Sequence, residues 1–147
     1  MPTETNPSVA VRTAGAVRYI VLNRPKRYNA ITVPMMRRLG DALDDAERDD
    51  AIRCIVLTAT GPGFCTGQDL GVLAKQYEHQ PVSSIADKLR DDYNPVVERI
   101  RALDKPVIAA VQGVAAGAGW SLALACDVRV AARSARFVPA FVRLGLV

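Results

Sequence analysis

Apolar residues along this chain switch repeatedly between strand-like and helix-like spacing, and the switches predict its elements. Val9–Thr13 and Val17–Leu22 are short runs rich in valine that flank Ala14-Gly15-Ala16, a pattern for two strands joined by a hairpin turn. Asn23-Arg24-Pro25 closes the second strand. Helical spacing then begins: Met35, Met36, Leu39, Leu43 and Ala46 share one face, with Thr32 at the expected cap and Pro34 in the first turn. Arg53–Thr60 is a nearly continuous apolar run, as a buried parallel strand requires. Ile85, Leu89, Val96, Val97, Ile100 and Leu103 return to helical spacing and predict a second long helix, which Pro95 kinks or restarts. Val107–Gln112 predicts another buried strand, the stretch from about Trp120 to Cys126 an apolar helix, and Val128–Ala132 a further strand. The alternation predicts one α/β domain over residues 1–147 with right-handed crossovers. The polar stretch Tyr77–Ser84 is expected to be a mobile loop.

Two glycine-rich stretches fall where the pattern passes from a buried strand toward a helix. They are Gly61-Pro62-Gly63-Phe64-Cys65-Thr66-Gly67-Gln68-Asp69 and Gly113-Val114-Ala115-Ala116-Gly117-Ala118-Gly119. The first N–H groups of a helix lack intrahelical acceptors and carry the positive end of its dipole. Small residues let a ligand approach that backbone closely. Two such loops on adjacent strands can aim two N–H donors at one oxygen, the arrangement an enolate or tetrahedral oxyanion needs. Other roles fit the same loops. Gly113-x-x-x-Gly117-x-Gly119 resembles a dinucleotide-binding turn, and either loop can be a glycine turn that permits close strand–helix packing. No acidic residue ends a following strand as dinucleotide binding asks, and the absence of Gly-Lys-Ser/Thr excludes a P-loop.

Composition narrows the partners. Half the residues are apolar and 23% are charged, a balance for a folded globular chain. No apolar run reaches membrane-spanning length, so no membrane role is expected. MPTETNPSVAV lacks the basic-then-apolar form of a secretion leader, and a cytoplasmic location is expected. The net charge of +4 is scattered and aromatics make up only 5%, which argues against nucleic acid and suits a small polyanion. Cys54, Cys65 and Cys126 are widely spaced and His79 is the one histidine, so neither a metal site nor a disulfide framework is expected.

Read together, four stretches resemble one family. Leu22-Asn23-Arg24-Pro25-Lys26-Arg27-Tyr28-Asn29-Ala30 is similar to the N-terminal signature of the crotonase (enoyl-CoA hydratase/isomerase) superfamily. Gly63 to Leu70 is similar to its first oxyanion loop, Lys105 to Gly119 with Leu122–Asp127 to its second, and Phe137–Val147 to the following strand and loop. The resemblance implies a crotonase-like spiral of ββα units, of which this chain holds the N-terminal part. It implies an acyl-CoA substrate with no other cofactor and no metal. The backbone N–H groups of Gln68 and Ala118, flanked by Gly67 and Gly117, would be the oxyanion donors. Lys26 and Arg27 would meet the CoA nucleotide, and Asp69, Leu70 and Gly71 would line the acyl-pantetheine path. A homotrimer or homohexamer is the implied full-length assembly.

Hydratases of the family resemble one another in carrying two glutamates, which would fall at Ser121 and Phe141 here. Neither residue is a competent general base near neutral pH, and Phe141 is expected to line the core or the acyl pocket. The text around Phe137, Ala140, Phe141 and Leu144-Gly145-Leu146-Val147 looks closest to the 2-(1,2-epoxy-1,2-dihydrophenyl)acetyl-CoA isomerase branch. In that branch a proline and a proton-shuttling aspartate follow. Isomerisation is therefore the leading expectation. Alternatives are a hydratase working without its glutamates and a non-catalytic acyl-CoA-binding or assembly subunit. Family chains run to nearly twice this length, so residues 1–147 are expected to be a piece of a longer protein, inactive alone. Asp69 is expected to cap a turn or helix, Asp127 to pair structurally, Cys65 to lack a nucleophilic role and His79 to be solvated.

Overall fold

The structure is a computed structural model that describes residues 7–72, 87 and 89–141. The expected loop at Tyr77–Ser84, with His79, and the expected helical position of Ile85 lie outside the described residues. Strands β1 (Val9–Ala14) and β2 (Val17–Leu22) form the predicted hairpin through Gly15-Ala16. Helix α1 (Val33–Arg48) follows, then β3 (Cys54–Ala59) and β4 (Gly63–Cys65). After a π-helical turn (Leu89–Tyr93) and α2 (Asn94–Ala102) come β5 (Val107–Val111), β6 (Val114–Ala116), α3 (Ala118–Ala125), β7 (Val128–Ala131) and β8 (Arg136–Val138).

Two sheets share these strands. One has the order β1-β2-β3-β5-β7, the other β4-β6-β8. β1 and β2 run antiparallel, and every other pairing is parallel. A long strand of the first sheet is thus followed by a short strand of the second, three times over: β3 then β4, β5 then β6, β7 then β8. This mixed α/β arrangement is the N-terminal part of a crotonase-like spiral of ββα units. β3 and β5 pair through Ile55–Val107, Val56–Ile108 and Leu57–Ala109, as their apolar runs predict.

Met35, Met36, Leu39, Leu43 and Ala46 of α1 are buried with Ile20, Leu22, Ile55 and Leu57 of the larger sheet. Each large side chain so buried contributes about 1.5–3 kcal/mol of apolar transfer. β3 is only half as enclosed as its sequence suggests. Ile55 and Leu57 are fully buried, whereas Val56 and Thr58 on the other face remain partly exposed.

Several local expectations are corrected. Thr32 occupies the cap of α1 in extended backbone, but its side chain makes no cap bond; its carbonyl accepts from Met36 N–H at 3.0 Å. Pro95 changes the winding of the second helix: the π-helical turn Leu89–Tyr93 runs directly into α2 with Tyr93 in right-handed helical backbone, and Pro95 sits in the first turn of α2. Leu89 consequently leaves the apolar face and is exposed, while Val96 and Ile100 stay buried. The second helix-forming glycine stretch starts its helix at Ala118, ahead of Trp120. Among the described residues, no helix is long and apolar enough to cross a membrane, and no group of three or more His, Cys, Asp or Glu could hold a metal ion.

Candidate active site

The turn after β2 is built by one buried asparagine. Tyr28 and Asn29 both adopt left-handed backbone, with φ of 48° and 54°. Such backbone is costly for most side chains and tolerated best by asparagine. Asn29 is fully buried with both polar atoms of its side chain bonded: its Oδ1 accepts from Arg24 N–H at 2.7 Å, and its Nδ2 donates to Thr60 O and Gly63 O, each at 2.9 Å. It thereby ties the turn to the segment joining β3 and β4. Gln112, after β5, donates from Nε2 to the same Gly63 O at 2.9 Å and to Ala59 O at 3.1 Å. Lys26 and Arg27 project from a short 3-10 turn (Pro25–Arg27); both are exposed, and neither is ion-paired among the described residues.

Beyond β4 the first glycine loop pairs with Ile31. Ile31 N–H donates to Gly67 O at 2.7 Å, and Asp69 N–H donates to Ile31 O at 2.9 Å. Backbone polar groups alternate in direction along an extended chain. With Gly67 O and Asp69 N–H turned toward Ile31, Gln68 N–H turns the other way. Among the described residues it donates to no backbone carbonyl.

The second loop brings Ala118 to the same place. Gly117 N–H donates to Val138 O at 3.1 Å, which pins the start of α3 to β8. Ala118 is the first residue of α3, so its N–H is one of the helix's orphan donors, and no described carbonyl accepts it. The two loops meet backbone to backbone. Gly67 has φ +90°, and a Cβ added there would lie 3.0 Å from Ala116 O and 3.3 Å from Ala118 N. A Cβ on Gly119 would lie 2.2 Å from Cys65 O, so only glycine lets α3 rest against β4. Ala140 and Phe141 flank the junction: a Cβ on Gly117 would be 3.8 Å from Ala140 Cβ and 4.0 Å from the Phe141 ring.

The strand β6 between Gly113 and Gly117 removes the dinucleotide reading. That turn must run straight from strand to helix, and here a paired strand intervenes.

The remaining side chains near the junction are committed elsewhere. Burial pushes the Asp69 carboxyl up, but the Arg24 guanidinium and the amides of Val72 and Gly71 outweigh it and hold it below its ordinary value. Arg24 Nη2 donates to Asp69 Oδ2 at 2.9 Å. Asp69 thus caps the helical turn that begins at Leu70, as expected; Leu70 and Gly71 are exposed. Burial raises the Cys65 thiol to about 11 against a smaller lowering by the Gly67 amide, so it is a poor thiolate source. Ser121 lies in α3 with its Oγ 3.5 Å from Gly117 O, one turn back. Asp127 has the expected structural role, accepting from Val107 N–H at 2.8 Å.

Sequence reasoning placed Gly67, Gln68, Asp69, Gly117, Ala118 and Phe141, and the structure sets the loops that carry them side by side, beyond the ends of β4, β6 and β8. Lys26 and Arg27 stand on the neighbouring turn. It missed the scaffolding residues Arg24, Asn29 and Gln112. A positive-φ requirement at an asparagine four residues after Pro25 was the available signal for Asn29; the partners of Arg24 and Gln112 are distant in sequence and left none.

The fold and the paired glycine loops define a class, and comparison with known proteins agrees with it. The sequence pattern described as Enoyl-CoA hydratase/isomerase matches residues 12–147, and the chain belongs to this family. It is 48% identical over 131 residues to 1,2-epoxyphenylacetyl-CoA isomerase of Escherichia coli, covering 89% of this chain and 50% of that protein. It also superposes on the crystal structure of an enoyl-CoA hydratase from Polaromonas sp. JS666 with a TM-score of 0.87 at 37% identity, over 94% of this chain and 53% of that one. The chain spans about half the length of the relatives it matches.

Proposed function

We propose that the protein binds an acyl-CoA thioester and stabilises its enolate with the N–H groups of Gln68 and Ala118. The reaction is an isomerisation: a proton leaves the carbon next to the thioester carbonyl and returns elsewhere, shifting a double bond or opening a ring. The observation that supports this reading is the closeness of the two loops, where a Cβ added to Gly67 would lie 3.3 Å from Ala118 N, together with the lack of a described carbonyl partner for either the Gln68 or the Ala118 N–H. Each such donor is worth about 3–4 kcal/mol in the barrier. Lys26 and Arg27 supply free positive charge for the CoA phosphates, and Gly117, Ser121 and Phe141 border the acyl group beside Leu70 and Gly71. The likeness to the isomerase from Escherichia coli supports isomerisation over hydration, as do serine and phenylalanine at the positions of the hydratase glutamates.

The resemblance to the isomerase branch implies an aspartate as the base. Among the described residues near the two amides, Asp69 is held by Arg24, Cys65 is buried and protonated, and Ser121 contacts its own helix. The same scarcity of bases favours a second reading, an acyl-CoA-binding subunit that performs no chemistry. The full gene product is, on our reading, a cytoplasmic homotrimer or homohexamer that needs neither metal nor nicotinamide.

Calorimetry on the full gene product tests the ligand class. Acyl-CoA is expected to bind with an affinity that falls as salt rises, because phosphates meet exposed cations. Tight NADH binding with no response to acyl-CoA would overturn the proposal. Turnover separates the two readings: bound acyl-CoA that never exchanges its α-proton with solvent deuterium identifies the non-catalytic subunit.

A further inference from the structure

We infer that Arg24 and Asp69 form a positioning brace that holds the Gln68 amide toward the reacting oxygen. The inference rests on the reading of that amide as an oxyanion donor. One guanidinium spans both chains of the Ile31–Gln68 bridge: Nη1 donates to Ala30 O, and Nη2 donates to Asp69 Oδ2 at 2.9 Å. Ala30 immediately precedes Ile31, and Asp69 immediately follows Gln68. The cross-link therefore sits beside the two backbone bonds that fix which way the Gln68 peptide faces. The base of the arm is fixed too, since Arg24 N–H is held by buried Asn29. At the far end, Val72 N–H donates to Asp69 O at 3.1 Å, where the chain turns helical. Rotating the Gln68 peptide would break this set of contacts together.

The pair is shielded, with side chains 23% and 13% exposed, unlike the surface pair Arg48–Asp45 at 72% and 67%. A shielded, forked pair is screened less by salt and holds geometry better than a surface one. Lysine offers a single ammonium in place of the fork and cannot reproduce contacts to a carbonyl and a carboxylate in one plane.

The test compares Arg24→Met, Arg24→Lys and Asp69→Asn with Arg18→Met, all in the full gene product. Arg18 makes a comparable pair with Asp49 at 2.8 Å from the opposite end of β2, and so controls for loss of an ion pair as such. The readouts are kcat, KM and the carbonyl stretching frequency of a bound acyl-CoA thioester. Arg24→Met and Asp69→Asn should lower kcat about a hundredfold while KM moves less than about threefold. In both, the bound carbonyl stretch should return toward its value in solution, and Arg24→Lys should restore neither property. Arg18→Met should leave both as in the wild type. If Arg24→Met fails to fold, Asp69→Asn decides, because it keeps the shape and removes only the charge. Variants with kcat within about threefold of wild type and an unmoved stretch would overturn the brace and leave the donor reading standing. A wild-type protein that leaves the thioester stretch at its solution value would overturn the donor reading and the brace with it.

Discussion

Asp69 shows how environment decides what a carboxylate can do. It lies beside an oxyanion-type loop, yet the carboxylate is paired with Arg24, and two backbone amides also lower its pKa. Those contacts favour its ionised form and make it a weak proton acceptor. Its folded-state value lies below the ordinary 3.8, so the unfolded chain takes up the proton first as acid is added. The stability it contributes is therefore present above pH 3.8 and is lost as the pH falls through the depressed value. Urea titrations of wild type and Asp69→Asn should show a stability gap that is constant near neutrality and closes under strong acid. A gap that persists unchanged through that range would show the carboxylate to be unperturbed. The loop containing Asp69 was legible from its glycines; its partner was not, because Arg24 lies 45 positions away and nothing local marks the pairing.

At the scale of elements, Lys105 carries more than its surface-charge appearance suggests. Its Nζ donates to Ala46 O, Glu47 O and Asp49 O, each at 2.8 Å, and so closes the C-terminus of α1. These are carbonyls that the helix itself leaves without donors, and the positive charge also meets the negative end of its dipole. Lys105→Met should destabilise the fold by roughly 1.5–3 kcal/mol, the range for hydrogen bonds to a charged group, read as a lower urea midpoint at unchanged slope. An unchanged midpoint would remove the lysine from the account of α1. The long elements were legible because their periodicity extends over enough residues: α1 from Met35 to Ala46, β3 and β5 from continuous apolar runs. β4 and β6 were not recognised as paired strands, whereas the strand that the resemblance implies from Phe137 is present as β8. All three have three residues, β4 and β6 lie within glycine-rich text, and their pairing depends on partners far along the chain. A three-residue strand has too few positions to display a period of two.

For the whole molecule, the site is a product of the two-sheet layout. β4 and β6 of the smaller sheet pair in parallel and each is followed by a glycine corner, so that Gly67 lies close to Ala116 and Ala118. Family motifs made these corners and their amides legible in the sequence. The reason they touch was not legible, since it depends on α3 lying against β4 across Gly119 with no room for a Cβ. Among the described residues β7 and β8 are edge strands, and Val128 and Val130 of β7 and Phe137 of β8 are exposed. The central claim is that Gln68 and Ala118 donate to one thioester oxygen. A crystal structure of the full gene product with a non-reactive acyl-CoA thioester analogue tests it most directly. The account predicts the thioester oxygen at about 3 Å from both the Gln68 and the Ala118 nitrogens. An analogue bound with that oxygen beyond hydrogen-bond reach of either amide would contradict it.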